Sequence, residues 1–191
     1  MRYYLGRAKP MYGILAVVLV LIIAIFMYNR LIRSRNILNE AWSGIDVQLE
    51  RRHDLIPNII ETVKGYVKHE RKVLEEITNL RSRLAGPATV QEKGQLENSF
   101  SQVLKSIFAL AEAYPDLKAN QNFIELQHTL ADTEEQIQLA RRYYNGAARD
   151  YNTMVESFPG NIMARMFGFS KAEFFEIELA TEREVPGVKF D

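Results

Sequence analysis

Two Glu-x-x-His spacings, Glu50/His53 and Glu125/His128, are the first residues of this sequence that could do chemistry. Di-iron carboxylate bundles use two such pairs, with a further Glu from each of two other helices. His53 is also followed by Asp54, the residue types of an acid–base pair. The surrounding register argues against both. Apolar residues at Leu38, Trp42, Ile45, Leu49, Ile56, Ile59, Val63, Tyr66, Val73, Ile77, Leu80 and Leu84 alternate by fours and threes, the seam of a packed helix. Ile56 and Ile59 then face the core, His53 lies on the flank, and Asp54 and Glu50 point outward. Neighbours on a helix do not face each other, so His53 and Asp54 form no dyad alone. Glu125 and His128 fall outside their own helix's seam. His69 lies about 24 Å beyond His53 on a straight helix, too far to share an ion. No catalytic, cofactor-binding or metal-ligating residue is expected.

Composition narrows the classes further. Lys+Arg and Asp+Glu number 24 each, so no net charge pulls the chain toward nucleic acid. There is no cysteine, hence no thiol nucleophile or disulfide framework. "LARRYYNGAARDYN" (Leu139 to Asn152) mixes arginine with tyrosine. Tyr144 and Tyr151 sit on the seam, which leaves Arg141, Arg142 and Arg149 on a solvated face rather than a nucleic-acid surface.

The elements that position these residues are all helical. The first helix runs from the N-terminal region to "AGPAT" (Ala85 to Thr89), with Arg52 as a charge on its seam. Pro57 lacks an N–H and crowds the carbonyl of His53, so a kink is expected there, with Gly65 a second soft point. Thr89 and Glu92 have the spacing of a capping box and open the second helix, which Pro115 ends. The third carries a seam from Phe123 to Phe158 and stops at Pro159-Gly160. Ser170 and Glu173 are spaced to cap a short fourth helix, Lys171 to about Glu182. No strand pattern or internal repeat is present.

Met11 to Tyr28, MYGILAVVLVLIIAIFMY, carries no charge and spans about 27 Å as a helix, close to a bilayer's hydrocarbon thickness. It ends in FMYNR, a poor cleavage site, so an uncleaved single-pass anchor is expected. The organisation is therefore a basic tail (1–10), a transmembrane helix (11–28), a helical bundle with a membrane-proximal stalk (29–182) and a C-terminal tail (183–191). The fold class is all-α: one transmembrane helix continuing into an elongated antiparallel long-helix bundle. Arg2, Arg7 and Lys9 on one side of the membrane balance Arg30, Arg33 and Arg35 on the other. The free amino terminus tips the count toward a cytoplasmic N-tail and an extracytoplasmic bundle.

Three stretches together resemble the LemA family: "RRHDLIPNIIETVKGYVKHE" (Arg51 to Glu70), "AYPDLKANQNFIELQHTLADTEEQIQLARRYYNGAARDYN" (Ala113 to Asn152) and "FPGNIMARMFGF" (Phe158 to Phe169). The resemblance covers most of the chain, from about Asn29 to Phe175. It implies a bacterial inner-membrane, single-pass protein with a long-helix bundle and no established catalytic residues. It also implies an association with membrane metalloproteases, and for one branch with membrane organelle formation. The basic ten-residue N-tail and the arginine-rich juxtamembrane stretch depart from the family pattern.

Helix lengths shape the functional expectation. Asn29 to Leu84 as one helix is about 84 Å, and Thr89 to Tyr114 about 39 Å. An up-down-up chain would leave Leu38, Trp42, Ile45 and Leu49 uncovered near the bilayer. A second copy is the simplest cover, with Trp42 as its anchor. The segment Ile162, Met163, Met166, Phe167, Phe169, Phe174 and Phe175 is too apolar for water and must pack on the bundle, another subunit or the bilayer. The expected function is a non-enzymatic, membrane-anchored scaffold or adaptor that self-assembles through protein contacts and binds no nucleic acid. The alternative is membrane shaping or lipid-surface binding through Arg30, Arg33 and Arg35.

Overall fold

The computed structural model describes residues 5–66, 71–84 and 86–176. The expectations for Arg2, His69 and the 183–191 tail lie outside them, as do the side chains of Arg7 and Lys9. All regular structure among the described residues is helical: α1 (Leu5–Asp54), α2 (Ile56–Lys64), α3 (Arg71–Leu84), α4 (Val90–Ala111), α5 (Pro115–Lys118), α6 (Gln121–Glu156) and α7 (Gly160–Phe167). The chain forms two compact units. An anchor unit comprises Met1–Ala41 with Gly146–Ala172, and a bundle unit comprises Trp42–Asn145 with Glu173–Asp191.

In the bundle unit, side-chain pairs fix the helix directions. Asp46 pairs with Lys93, and Arg52 with Glu97, so α4 rises alongside α1. Tyr66 bonds Asn120, Arg52 reaches Glu134, and Trp42 stacks on Tyr144, so α6 descends against α1. Helix α3 packs along α4 and is joined to it by a short turn, so it also descends. Helix α3 therefore runs opposite to α1 and α4, and the helices of the unit run up-down-up-down. This corrects the expectation of one long helix, kinked at Pro57, running on through Leu84. The seam positions Ile77, Leu80 and Leu84 belong to a separate helix, and they share a core with Ile59, Phe100 and Ile107. A seam records which residues are buried but not the direction in which a helix runs, so a reversal that keeps the phase leaves no mark on it.

Helix α1 is interrupted at Leu55, whose N–H donates to the Arg52 carbonyl at 3.3 Å, three residues back. Pro57, two residues on, offers no N–H to the carbonyl of His53. The capping box at the start of α4 forms as expected. Thr89 Oγ1 accepts from Glu92 N–H at 3.2 Å, and the Glu92 carboxylate accepts from Thr89 N–H at 2.9 Å.

The stalk is not uncovered. Leu38 is buried within the anchor unit, and Ile45 and Leu49 within the bundle unit. Trp42 meets Tyr144 at 5.4 Å and Phe175 at 5.6 Å between ring centroids. Because α6 descends along α1 and the residues after α7 return to it, the chain covers its own seam. Leu38, Trp42, Ile45 and Leu49 thus have cover without a second copy.

In the anchor unit, Leu31, Ala41, Ala148 and Tyr151 are buried. Gly160 opens α7 where a Cβ would collide with the Met154 carbonyl oxygen, so only glycine permits the approach. Gly168 ends α7 at φ 72°, and the next N–H, of Phe169, donates to the Ala164 carbonyl at 2.9 Å. Phe158, placed on the seam by its spacing, is 80% exposed, because the helix has already ended at Glu156.

The expected short helix from Lys171 is absent over residues 171–176. Side-chain amides hold the backbone there instead. In the anchor unit, Asn152 Nδ2 donates to the Ala172 carbonyl at 3.0 Å, and its Oδ1 accepts from Ala172 N–H at 2.7 Å. In the bundle unit, Asn145 does the same to Phe175 at 3.1 and 2.9 Å. Tyr144 Oη adds a bond to the Glu173 carbonyl at 2.9 Å. A Cβ on Gly94 would stand 2.7 Å from the Glu176 carbonyl oxygen, so α4 is bare where the segment passes.

Two outcomes are expected. Asn145→Ala removes both bonds to Phe175 and should cost about 1–3 kcal/mol, with faster amide exchange at Phe175 than in the parent. Burial, then the charge of Glu173, holds the Tyr144 phenol above the usual 10.0, and burial does the same for Tyr151 against the opposing pull of Arg35. The unfolded chain therefore ionises these phenols first, so their stabilisation is present below about pH 10 and is lost as pH rises through their folded values. Absorbance titration should show late-ionising phenols that Tyr144→Phe and Tyr151→Phe each remove.

Candidate functional site

The only buried charges with a constellation around them, among the described residues, lie where α1, α4 and α6 meet in the bundle unit. Arg52 and Glu97 are both 0% exposed. The Arg52 guanidinium pairs with Glu97 through Nη2 and with Glu134 through Nη1. Nη1 also donates to Ser101 Oγ at 3.1 Å. The same guanidinium lies 4.9 Å from the centre of the Phe100 ring. His53 Nε2 stands 2.9 Å from the other oxygen of Glu97, and its ring meets Phe100 edge-on at 5.5 Å.

Local structure explains this placement. Arg52 and His53 stand in the last turn of α1, before the break at Leu55, and both reach Glu97 on α4. Glu97 lies on the α4 ladder Glu97, Phe100, Leu104, Ile107, Ala111, all buried. Removing an ion from water is costly, and a pair is tolerated only where further bonds complete it. Glu134, half-exposed, keeps one carboxylate in touch with solvent. With ionised carboxylates, Arg52, Glu97 and Glu134 sum to minus one. The arrangement can fix three helices in register.

The sequence-derived candidates fall as follows. His53 joins this cluster, whereas Asp54 and Glu50 are exposed and do not. Glu125 and His128 are exposed on α6. Among the described residues, no group of three His, Asp or Glu side chains is placed to hold a metal ion. Pro57 lies in the first turn of α2 and Gly65 follows its last residue, where it lines a cleft with Asn58, Glu61, Tyr66, Asn120 and Glu125. Arg30 and Arg33 are exposed in the anchor unit, where they line an apolar-walled cleft with Phe26 and Met154. Arg35 instead lies 6.0 Å from the centre of the Phe169 ring. Sequence reasoning marked Arg52 as a charge on an apolar seam but named no partner. The signal for the partner was Glu97, at the 3-4 spacing of the buried α4 ladder.

Arg52→Ala leaves Glu97 buried beside a lost partner and should destabilise the chain by about 3–5 kcal/mol. Arg52→Met combined with Glu97→Leu should cost far less than the two single changes summed. Thermal denaturation of the four proteins in a mutant cycle reads that coupling.

Relatives place the chain more widely. It is 27% identical to "Protein LemA" of Metamycoplasma hominis over 96% of this chain and 84% of that protein. It is 22% identical to "Magnetosome protein MamQ 2" of Paramagnetospirillum magneticum over 90% of this chain and 74% of that protein. "Magnetosome protein MamQ" of Magnetospirillum gryphiswaldense is 19% identical over 85% of this chain and 70% of that protein. The pattern of the LemA family matches residues 41–190, well over half of the sequence, and the chain belongs to the LemA family.

Proposed function

We propose that this chain is a membrane-anchored helical scaffold that acts through protein contacts and carries out no reaction of its own. The observation that carries the reading is the inward use of its ionisable groups: Arg52, Glu97, Glu134 and His53 answer one another inside the bundle unit. Chemistry on a substrate needs such groups turned toward a cleft. Among the described residues one helix is long and apolar enough to cross a membrane, which fits the anchoring part of the reading.

The scaffold self-assembles, through a surface different from the one the helix lengths suggested. Leu139 and Tyr143, one turn apart on α6 in the bundle unit, are 46% and 58% exposed. An apolar pair at this spacing forms one patch on the helix face, and a copy of the same chain offers a matching patch. The test places a photo-crosslinking residue at position 139 or 143 of the full chain in its membrane. The expected product is an adduct of twice the chain's mass, lost in Leu139→Asp/Tyr143→Asp while the melting temperature holds. Lipid adducts alone at both positions would overturn self-assembly. Steady turnover of a substrate by the purified chain would overturn the scaffold reading.

A further inference from the structure

Helix α7 carries three different faces. Gly160 and Ala164, four residues apart, are buried against the anchor unit. About 100° per residue around the axis, Ile162, Met163, Met166 and Phe167 fall in one arc, and Asn161 and Arg165 in the opposite one. The apolar arc has little cover from the chain: Ile162 is 51% exposed, Met166 70% and Phe167 53%, and Phe158 just before the helix is 80% exposed. An apolar surface of this kind marks a contact with something that is not water.

The anchor unit fixes the level at which this surface lies. The Phe167 ring packs on Tyr28 at 4.7 Å, and the Phe169 ring lies 6.1 Å from the same tyrosine. Met27 Cε is 3.5 Å from where a Cβ on Gly160 would stand. Met27 and Tyr28 are the last residues of the apolar run that begins at Met11. The large side chains of that run, from Ile14 to Phe26, are exposed in the same way. Helix α7 is thus tied to the point where the membrane span meets the headgroups, and its apolar arc continues the apolar surface of the span.

We propose that α7 is an interfacial helix lying in the bilayer surface beside the transmembrane span, with Ile162 and Met166 among the acyl chains and Arg165 at the headgroups. Its occupant is lipid, because the exposed arc adjoins the one surface of the chain that lipid must cover. Short helices with an apolar arc and a basic opposite face seat in this way, and aromatic rings such as Tyr28, Phe167 and Phe169 gather at the same depth. The inference does not rest on the scaffold reading, and either can fail without the other.

The chain has no cysteine, so a single introduced cysteine carries a spin label without background. Ile162→Cys, Met166→Cys and Arg165→Cys replace exposed side chains, with Leu19→Cys and Lys171→Cys as references for lipid and water. The full chain is reconstituted in vesicles of equal parts phosphatidylethanolamine and phosphatidylglycerol. Collisions with oxygen and with a water-soluble nickel chelate are then measured. The proposal expects oxygen-to-nickel ratios at 162 and 166 several-fold above that at 171 and near that at 19, with 165 on the side of 171. Nickel access at all three positions would put α7 in water and overturn it. Shielding of 162 and 166 from both reagents would mean a protein cover, such as a second copy, and would equally overturn it. A lipid-like ratio at 165 would overturn the orientation.

Discussion

Arg52 cannot be left alone. A guanidinium stays charged at any pH a protein meets, so its burial at 0% exposure forces carboxylates to come to it. Glu97 arrives from α4 and Glu134 from α6. Sliding either helix by one turn along α1 would move its carboxylate by about 5.4 Å and strand the charge. Apolar seams tolerate such slips, since one leucine packs much like the next. The ion network adds the register that a run of similar hydrophobes lacks. A buried pair is weak evidence for stability, but its use in selecting one alignment fits a bundle built on repeated apolar spacing.

Close packing depends on the smallest residues at two points. Gly94 lets the Glu176 carbonyl come against α4 in the bundle unit, and Gly160 lets α7 start against the Met154 carbonyl in the anchor unit. In each case the nearest atom is backbone, which cannot move aside as a flexible side chain would. These two glycines therefore serve proximity, whereas Gly168 serves a left-handed turn.

Much of the architecture was legible because its causes are local. Charge-free length marks the anchor, the Thr89/Glu92 spacing marks a helix start, and four-three spacing marks Ile45, Leu49, Ile59, Ile77, Tyr144 and Tyr151 as buried. The LemA resemblance was equally readable from contiguous segments. The features that were missed depend on distant parts of the chain meeting. The reversal after Gly65 preserves the seam's phase and so is silent in it. Glu97 is buried on the same face as Phe100, Leu104 and Ile107, and an acid among hydrophobes shows its partner only when Arg52 of another helix meets it. The residues after Ser170 have a helix-start signal, yet Asn145 and Asn152, far earlier in the sequence, take up the backbone groups that a helix would have used. Trp42 was read as lacking cover because Phe175 is more than a hundred positions away.

The two asparagine amides bind Ala172 and Phe175 through main-chain N–H and C=O groups, which every residue except proline possesses. Such a grip does not read side chains. Drift at 172 or 174 leaves it intact, whereas proline at 172 or 175 would delete a donor it requires. Identity matters at Phe175, whose ring packs beside Trp42, and at Glu173, whose carboxylate accepts from Gln91 N–H at 3.3 Å. The C-terminal segment is thus a permissive stretch of sequence held by two unforgiving positions on a helix, and a new side chain at its exposed sites would alter the protein's surface without loosening the fold beneath.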